Sequence, residues 1–260
     1  MTIVLIAVVL YLVAAALLVT DVQRQRISRA WLLPAAAAVL MHAAAHLMGW
    51  NETGGAEMHF FAAMSLVGLG MATLTTFVGA GGRMPALGVV VFPLAALTLS
   101  GYHQHGHVPG DQLDWRLQLH AWMALLAYAT LAIAALLAVM LWLQERALRR
   151  REFHRWLRAL PPLVELETLM FRTIGVGFAL LTGTLLTGVL FVENLFAQHL
   201  VHKTVLSVLS WLLFGGLLLG RWRYGWRGAT AVRWTLTAMA FLMLAFFGSR
   251  AVLELVLGRT

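Results

Sequence analysis

The chain has 260 residues, 61% of them apolar and only 12% charged, with a formal net charge of +8 and no cysteine. A soluble domain is about a quarter charged, so this chain cannot cover a water-facing surface, while its apolar residues suffice for several membrane spans of about 20 residues each. The missing cysteines exclude disulfides, thiolate metal sites and covalent heme attachment through a Cys-x-x-Cys-His motif.

Long apolar runs near 3–20, 30–50, 60–79, 86–103, 117–143, 169–192, 204–220 and 231–256 predict about eight transmembrane helices. The fold class is all-α, a polytopic membrane helix bundle read as one integral domain over 1–260. The first run has no basic residue before it and Arg24, Arg26 and Arg29 after it. A cleaved secretory signal has the opposite order, so this run reads as a retained anchor. The second carries His42 and His46 one turn apart and ends at Trp50, and the fourth leads into a loop with Tyr102, His103, His105, His107, Pro109 and Gly110. The fifth opens on Trp115 and Arg116 and carries His120 and Trp122. An arginine-rich connection with Pro161 and Pro162 follows, read as a turn or short amphipathic helix. The sixth has Gly175, Gly183 and Thr187 at spacings that suit close helix packing. His199, His202 and Lys203 stand at the mouth of the seventh, and Arg250 lies four residues before Glu254 in the eighth.

Charge sets the orientation. Alternating connections place fifteen of the Lys and Arg residues on one side and four (Arg116, Lys203, Arg250 and Arg259) on the other. The positive-inside rule then puts both termini and the connections near 51–59, 104–116 and 193–203 outside. The basic side includes Arg146 to Arg158, an inner loop suited to anionic lipid or to a cytosolic or membrane partner. The charge asymmetry is explained by orientation, and no nucleic-acid role is needed. The connections are short, so any chemistry sits within the bundle or at its outer rim.

Histidine is the informative residue. Of ten, only His154 lies in an inner connection. His42, His46, His59, His103, His105, His107, His120, His199 and His202 all fall in the outer half of a span or in an outer connection. Imidazole ligates Zn, Cu, Fe and heme iron, and polar side chains within spans are costly and functional by default. His42 and His46 read either as interhelix hydrogen-bonding residues or as ligands. His103, His105 and His107 read as a solvated loop, weakly metal-binding at most, and His59 as an interfacial residue. Trp50, Phe60, Phe61, Tyr102, Trp115, Trp122, Phe191 and Phe196 crowd the same rim, as interfacial anchors or as walls of a flat apolar pocket. Nothing resembles a nucleophile with an adjacent base, so no catalytic residue is assigned. No paired intramembrane carboxylates suggest an acidic proton relay.

The stretch Leu119-His120-Ala121-Trp122-Met123-Ala124, continuing to Tyr128, resembles the histidine-bearing helix of the cytochrome c assembly superfamily of heme-handling membrane proteins, the CcsA and CcmC type. So does His202-Lys203-Thr204, followed by Trp211-Leu212-Leu213-Phe214 and by Gly225-Trp226-Arg227-Gly228. The closest similarity is to the smaller HemX/YpjD branch, through Gln198 to Thr204. It covers roughly residues 115–250 with specific motifs and residues 1–110 as a pattern of spans. Two features depart from the synthetase members: residues 193–201 contain neither Trp nor Asp, and residues 248–260 contain no His. The resemblance therefore implies heme contact, export or sensing at the outer face of the inner membrane, without synthetase activity.

A site follows from the resemblance and the residues together. A non-covalent heme b near the outer leaflet takes His120 and His202 as axial ligands, with His199 as the alternative to His202. Arg116, Lys203 and Arg250 suit the propionates, Arg250 equally suiting an ion pair with Glu254. Trp115, Trp122 and Phe196 supply apolar walls, and His42 and His46 form a possible second site. A regulatory membrane protein of HemX type without heme and a b-type electron-transfer cytochrome are the alternatives.

Overall fold

The computed structural model describes residues 2–24, 28–82, 85–105, 114–151, 161–191 and 201–248. Among the described residues the chain is helical, without strands, and the helices fall into two compact units.

The first unit holds α1 (Thr2–Arg24), α2 (Leu32–Thr53), α3 (Phe60–Ala80), a short 3-10 turn (Pro85–Leu87) and α4 (Gly88–Gln104). Within it α1 packs on α2 and α4, and α3 packs on α2 and α4. The contacts are built from small side chains: Ala7, Ala14, Ala35, Ala38, Ala62, Ala63 and Ala95 are fully buried. Small residues let helix backbones approach where lipid offers no hydrophobic drive between helices. The Trp31 indole lies against Gly79, where a Cβ would come within 2.6 Å of the ring.

The second unit holds α5 (Trp115–Arg149), α6 (Leu163–Phe191), α7 (Val201–Tyr224) and α8 (Gly228–Met243), which continues as a π turn (Leu244–Gly248). Here α5 packs on α6 and α8, and α7 packs on α6 and α8. The sequence expectation of close packing on α6 holds at Gly183, where a Cβ would meet the Met123 methyl at 2.2 Å. Gly177 faces Leu131 at 2.5 Å, whereas Gly175 faces open space. The Tyr128 hydroxyl donates to the Leu242 carbonyl at 2.6 Å, just before the π turn, which is where a side chain inserted into the ladder disturbs helix geometry.

Seven helices among the described residues are long and apolar enough to cross a membrane: α1, α2, α3, α5, α6, α7 and α8 with its π turn. α4 has 17 residues, about 25 Å at the α-helical rise. Its 3-10 turn adds about 6 Å, which brings the pair to the roughly 30 Å hydrocarbon thickness. Large apolar side chains such as Leu33, Leu40, Phe77, Leu97, Leu186, Val189, Leu190 and Leu212 are exposed, a surface made for lipid rather than water. Many hydroxyls turn inward onto their own helix: Thr73, Thr76, Ser100, Thr130, Thr173, Thr182 and Thr184 each donate to the carbonyl four residues earlier. That satisfies them without water, as a bilayer interior requires. The chain is a polytopic helical membrane protein.

Two helices overrun their apolar stretches by six residues. α5 continues through Gln144, Glu145 and Arg146 to Arg149, and α6 begins six residues before the expected 169. Hydropathy ends where charge begins, but helical hydrogen bonding continues past the membrane. The arginine-rich connection is correspondingly shorter than read from sequence. Its residues 152–160, including His154, lie outside the described residues.

Candidate functional site

In the second unit the site is built from the ends of α5 and α6 that meet near Trp115 and Phe191. His120 lies in the second turn of α5, about 7 Å along the helix from Trp115. It is half-buried and turned toward α6, where its Nδ1 lies 3.2 Å from Thr187 Oγ1. The Thr187 hydroxyl hydrogen is already directed at the carbonyls of Gly183 and Thr184, at 2.9 and 3.0 Å. With that hydrogen on the backbone Thr187 accepts, and His120 Nδ1 is then the protonated nitrogen. The Nε2 lone pair is then the basic position of the ring. Gly188 completes the seat: a Cβ there would stand 3.2 Å from His120 Cε1, tighter than the ring tolerates without moving.

Above His120 is an aromatic and cationic group. The Trp115 and Phe191 rings are 6.1 Å apart, and the Arg116 guanidinium lies 5.7 Å and 5.9 Å from their respective centroids. Arg116 is largely exposed and approaches Asp114 at 3.9 Å, a contact weakened by solvent. Trp122 is exposed on the same helix. His202 stands exposed in the first turn of α7, and the Lys203 ammonium lies 6.0 Å from the Phe246 ring centroid in the π turn. Thus the described contacts of His120 run to α6, and those of Lys203 to the π turn. His199, Phe196 and Arg250 lie outside the described residues, as does His107.

The first unit brings His42 and His46 together. Both are buried on one face of α2, and both point Nε2 at the Ser65 hydroxyl of α3, each at 2.9 Å. The Tyr11 hydroxyl of α1 is 3.2 Å from His42 Nδ1. The His46 ring stacks on Tyr102 of α4 at 4.4 Å, and the Tyr102 hydroxyl donates to the buried Glu57 carboxylate in a short hydrogen bond. His59 also stacks on Tyr102, at 5.9 Å. His103 lies in the last turn of α4, and His105 caps that helix, its Nδ1–H donating to the Gly101 carbonyl at 2.9 Å while the ring stacks on Phe61. Among the described residues, no three His, Cys, Asp or Glu side chains cluster to hold a metal ion.

At the other end of the second unit, the motif Gly225-Trp226-Arg227-Gly228 has a structural task. Gly225, at φ +66°, stops α7 with its N–H on the Arg221 carbonyl at 3.2 Å, the left-handed cap that glycine favours. Trp226 then folds back over Gly220, where a Cβ would collide with the indole at 2.3 Å. The nearly buried Glu167 of α6 accepts from Arg221 Nη1 at 2.7 Å and from Arg227 Nε at 3.1 Å. Sequence reading did not single out Glu167; its signal was an acid beside Glu165 in the first turns of α6, opposite a stretch with two arginines.

The chain matches the cytochrome c assembly protein family model over residues 2–257. It is 32% identical over 194 residues to the inner membrane protein YpjD of Escherichia coli, covering 74% of this chain and 73% of that protein. An uncharacterised 28.8 kDa protein of Azospirillum brasilense is 38% identical over 59% of the chain and 56% of its own length. Protein HemX of Brevibacillus brevis is 28% identical over 51% of the chain and 49% of its length. No solved structure shows significant similarity. With a match from residue 2 to residue 257, the chain belongs to the cytochrome c assembly protein family.

Proposed function

We propose that this is a heme-handling protein of the bacterial inner membrane, with both termini outside and a non-covalent heme b near the outer leaflet. The observation that carries the reading is the contact of His120 Nδ1 with Thr187 Oγ1 at 3.2 Å. With the Thr187 hydrogen on the α6 backbone, the ring proton sits on Nδ1 and Nε2 is free to be a ligand. A second residue that holds the far ring nitrogen is the usual companion of a metal-bound histidine. The residues present suit the group: an oriented imidazole, Trp115 and Phe191 as apolar wall, and Arg116 at the rim for an anionic propionate. His202 is assigned as the second axial ligand, and Lys203 as a second propionate partner.

Heme iron held by two imidazoles would have no open position for oxygen, which suits binding, export or sensing of heme. His42 and His46 are not assigned to iron, because both ring nitrogens of His42 are engaged by hydroxyls. At the inner end of α5, the exposed Arg146, Arg149, Arg150 and Arg151 suit anionic lipid headgroups.

The test is the visible spectrum of the protein purified in mild detergent after expression with added heme, oxidised and dithionite-reduced, beside His120→Ala and His202→Ala. A Soret band with sharp reduced α and β bands, shifted or lost in each variant, is expected. A heme-free wild type overturns the reading. A spectrum unchanged in His202→Ala overturns the assignment of that ligand.

A further inference from the structure

The π turn that ends α8 has a cause in α5. The α-helical ladder of α8 runs as far as Leu244, whose N–H reaches the carbonyls of Ala240 and Phe241. Two residues on, an α-helix would pair the Phe246 N–H with the Leu242 carbonyl. The Tyr128 hydroxyl of α5 stands in that place. It donates to the Leu242 carbonyl at 2.6 Å, and the same oxygen is in hydrogen-bond contact with the Phe246 backbone. A hydroxyl has one hydrogen, spent here on Leu242, so the oxygen accepts from the Phe246 N–H. Two hydrogen bonds in series span about 4–5 Å from nitrogen to carbonyl oxygen, against about 2.9 Å for a single helical bond. The turn must open to admit the hydroxyl, and Leu244–Gly248 take the wider π geometry.

We infer that Tyr128 is a positioning residue: by holding the π turn open it sets the Phe246 ring against Lys203 and so fixes where that ammonium stands. The use of Lys203 for a propionate rests on the heme reading above; the hydrogen bonds and the ring contact do not. The Lys203 ammonium lies 6.0 Å from the Phe246 centroid, and a cation is drawn to a ring face. Phe247 is buried edge-on against Tyr128 at 5.5 Å and against Phe246 at 5.2 Å, so the two phenylalanine rings are packed as a pair. An α-helix through the same residues would wind them more tightly and carry both rings around the axis of α8, away from their present places. Tyr128 lies eight residues after His120 on α5, about 12 Å along the helix. One helix therefore carries the proposed ligand and, deeper, the residue that shapes α8. The hydroxyl is the decisive group. Without it the Phe246 N–H and the Leu242 carbonyl can pair directly, so α8 keeps its hydrogen bonding while the ring pair turns.

Lys203 is the only lysine in the chain, so isotope-labelled lysine in the full-length, heme-free protein, reconstituted in lipid nanodiscs, gives one side-chain NMR signal. In wild type the ε-methylene protons are expected upfield of those of free lysine, shifted by the Phe246 ring, and Phe246→Leu should abolish that shift. Tyr128→Phe, which removes one oxygen, should move the signal toward its Phe246→Leu position at nearly unchanged Tm. A wild-type signal without the ring shift, or a signal unchanged in Tyr128→Phe, would overturn the inference. Hemin titration then reads whether the effect reaches the ligand. Tyr128→Phe and Lys203→Gln should each weaken binding about twofold to fivefold, the size of one partly screened charge contact. The double variant should bind no more weakly than either alone, because both act through one ammonium; full additivity would overturn action through Lys203. A wild type that binds no hemin overturns the function proposed above, and the lysine signal still decides what Tyr128 does.

Discussion

Replacing Thr187 by valine tests how the proposed heme ligand, His120, is oriented. The substitution keeps the side-chain shape and removes one acceptor, the oxygen 3.2 Å from His120 Nδ1. The carbonyls of Gly183 and Thr184 lose only a second hydrogen bond in exchange, so the fold should lose less than about 1 kcal/mol. His120 loses more. Without Thr187 the ring keeps only its backbone partner at Thr184 and can rotate or take the other tautomer, which places a hydrogen where iron would bind. Removing such a partner typically weakens metal binding about 10–100-fold, equivalent to about 1.4–2.7 kcal/mol. The assay is titration of hemin into heme-depleted protein in mild detergent, followed at the Soret band, with thermal unfolding of the same samples. Thr187→Val should bind about 10–100-fold more weakly at nearly unchanged Tm, Thr187→Ser should bind as wild type, and His120→Ala should lose the wild-type spectrum. Wild-type affinity in Thr187→Val beside lost binding in His120→Ala would refute the orienting role.

Other expectations concern the frame. Gly177→Ala puts a methyl 2.5 Å from Leu131 Cδ2 and should cost about 1–3 kcal/mol through overpacking, read as a lower Tm in detergent; an unchanged Tm would mean that α5 and α6 separate easily there. Glu167→Ala leaves Arg221 and Arg227 without their shared acceptor and should cost about 2–4 kcal/mol, between a charged hydrogen bond and a buried pair. Because Arg227 is half exposed, Glu167→Gln should recover part of that stability, and equal loss in both variants would show that charge is what matters. The chain has no cysteine, so single substitutions report topology cleanly. Glu52→Cys should react with an impermeant maleimide from outside, and Arg150→Cys only after the membrane is opened; the reverse pattern would overturn the orientation.

The helices were legible because lipid imposes one rule, a long apolar run, and each expected run coincides with a helix to within a few residues at most of its ends. The overruns of α5 and α6 were hidden because hydropathy registers the membrane rather than the helix. The end of the eighth run, 249–256, lies outside the described residues. The histidines were legible as a class, since a costly residue in a span draws attention. Their partners were not. Ser65 in an Ala-rich run looks like a packing residue, and Tyr11 lies 31 positions from His42, so only the fold joins them. Thr187 was read as a small residue for helix contact. It does lie at that contact, but its hydroxyl also fixes a ring. Glu57 looked like an ordinary loop acid until Tyr102 was found donating to it.

The same residue type serves two ends in this chain, and the hydroxyl each histidine meets decides which. Where Thr187 gives its hydrogen to the helix backbone it only accepts, and His120 is then held in one tautomer with its lone pair on Nε2. That is what a ligand needs: basicity that does not fluctuate. Ser65 instead stands between two imidazoles, and its described hydrogen bonds run to them. Its hydrogen can serve either ring, so the tautomers of His42 and His46 are tied to each other. Exchanging these environments should exchange the behaviours. A backbone-bonded threonine hydroxyl in place of a bridging serine locks a ring, and a bridging one releases it. Ser65→Thr tests this: if the threonine turns its hydrogen to its own helix, both histidines must donate to it and their tautomers become alike.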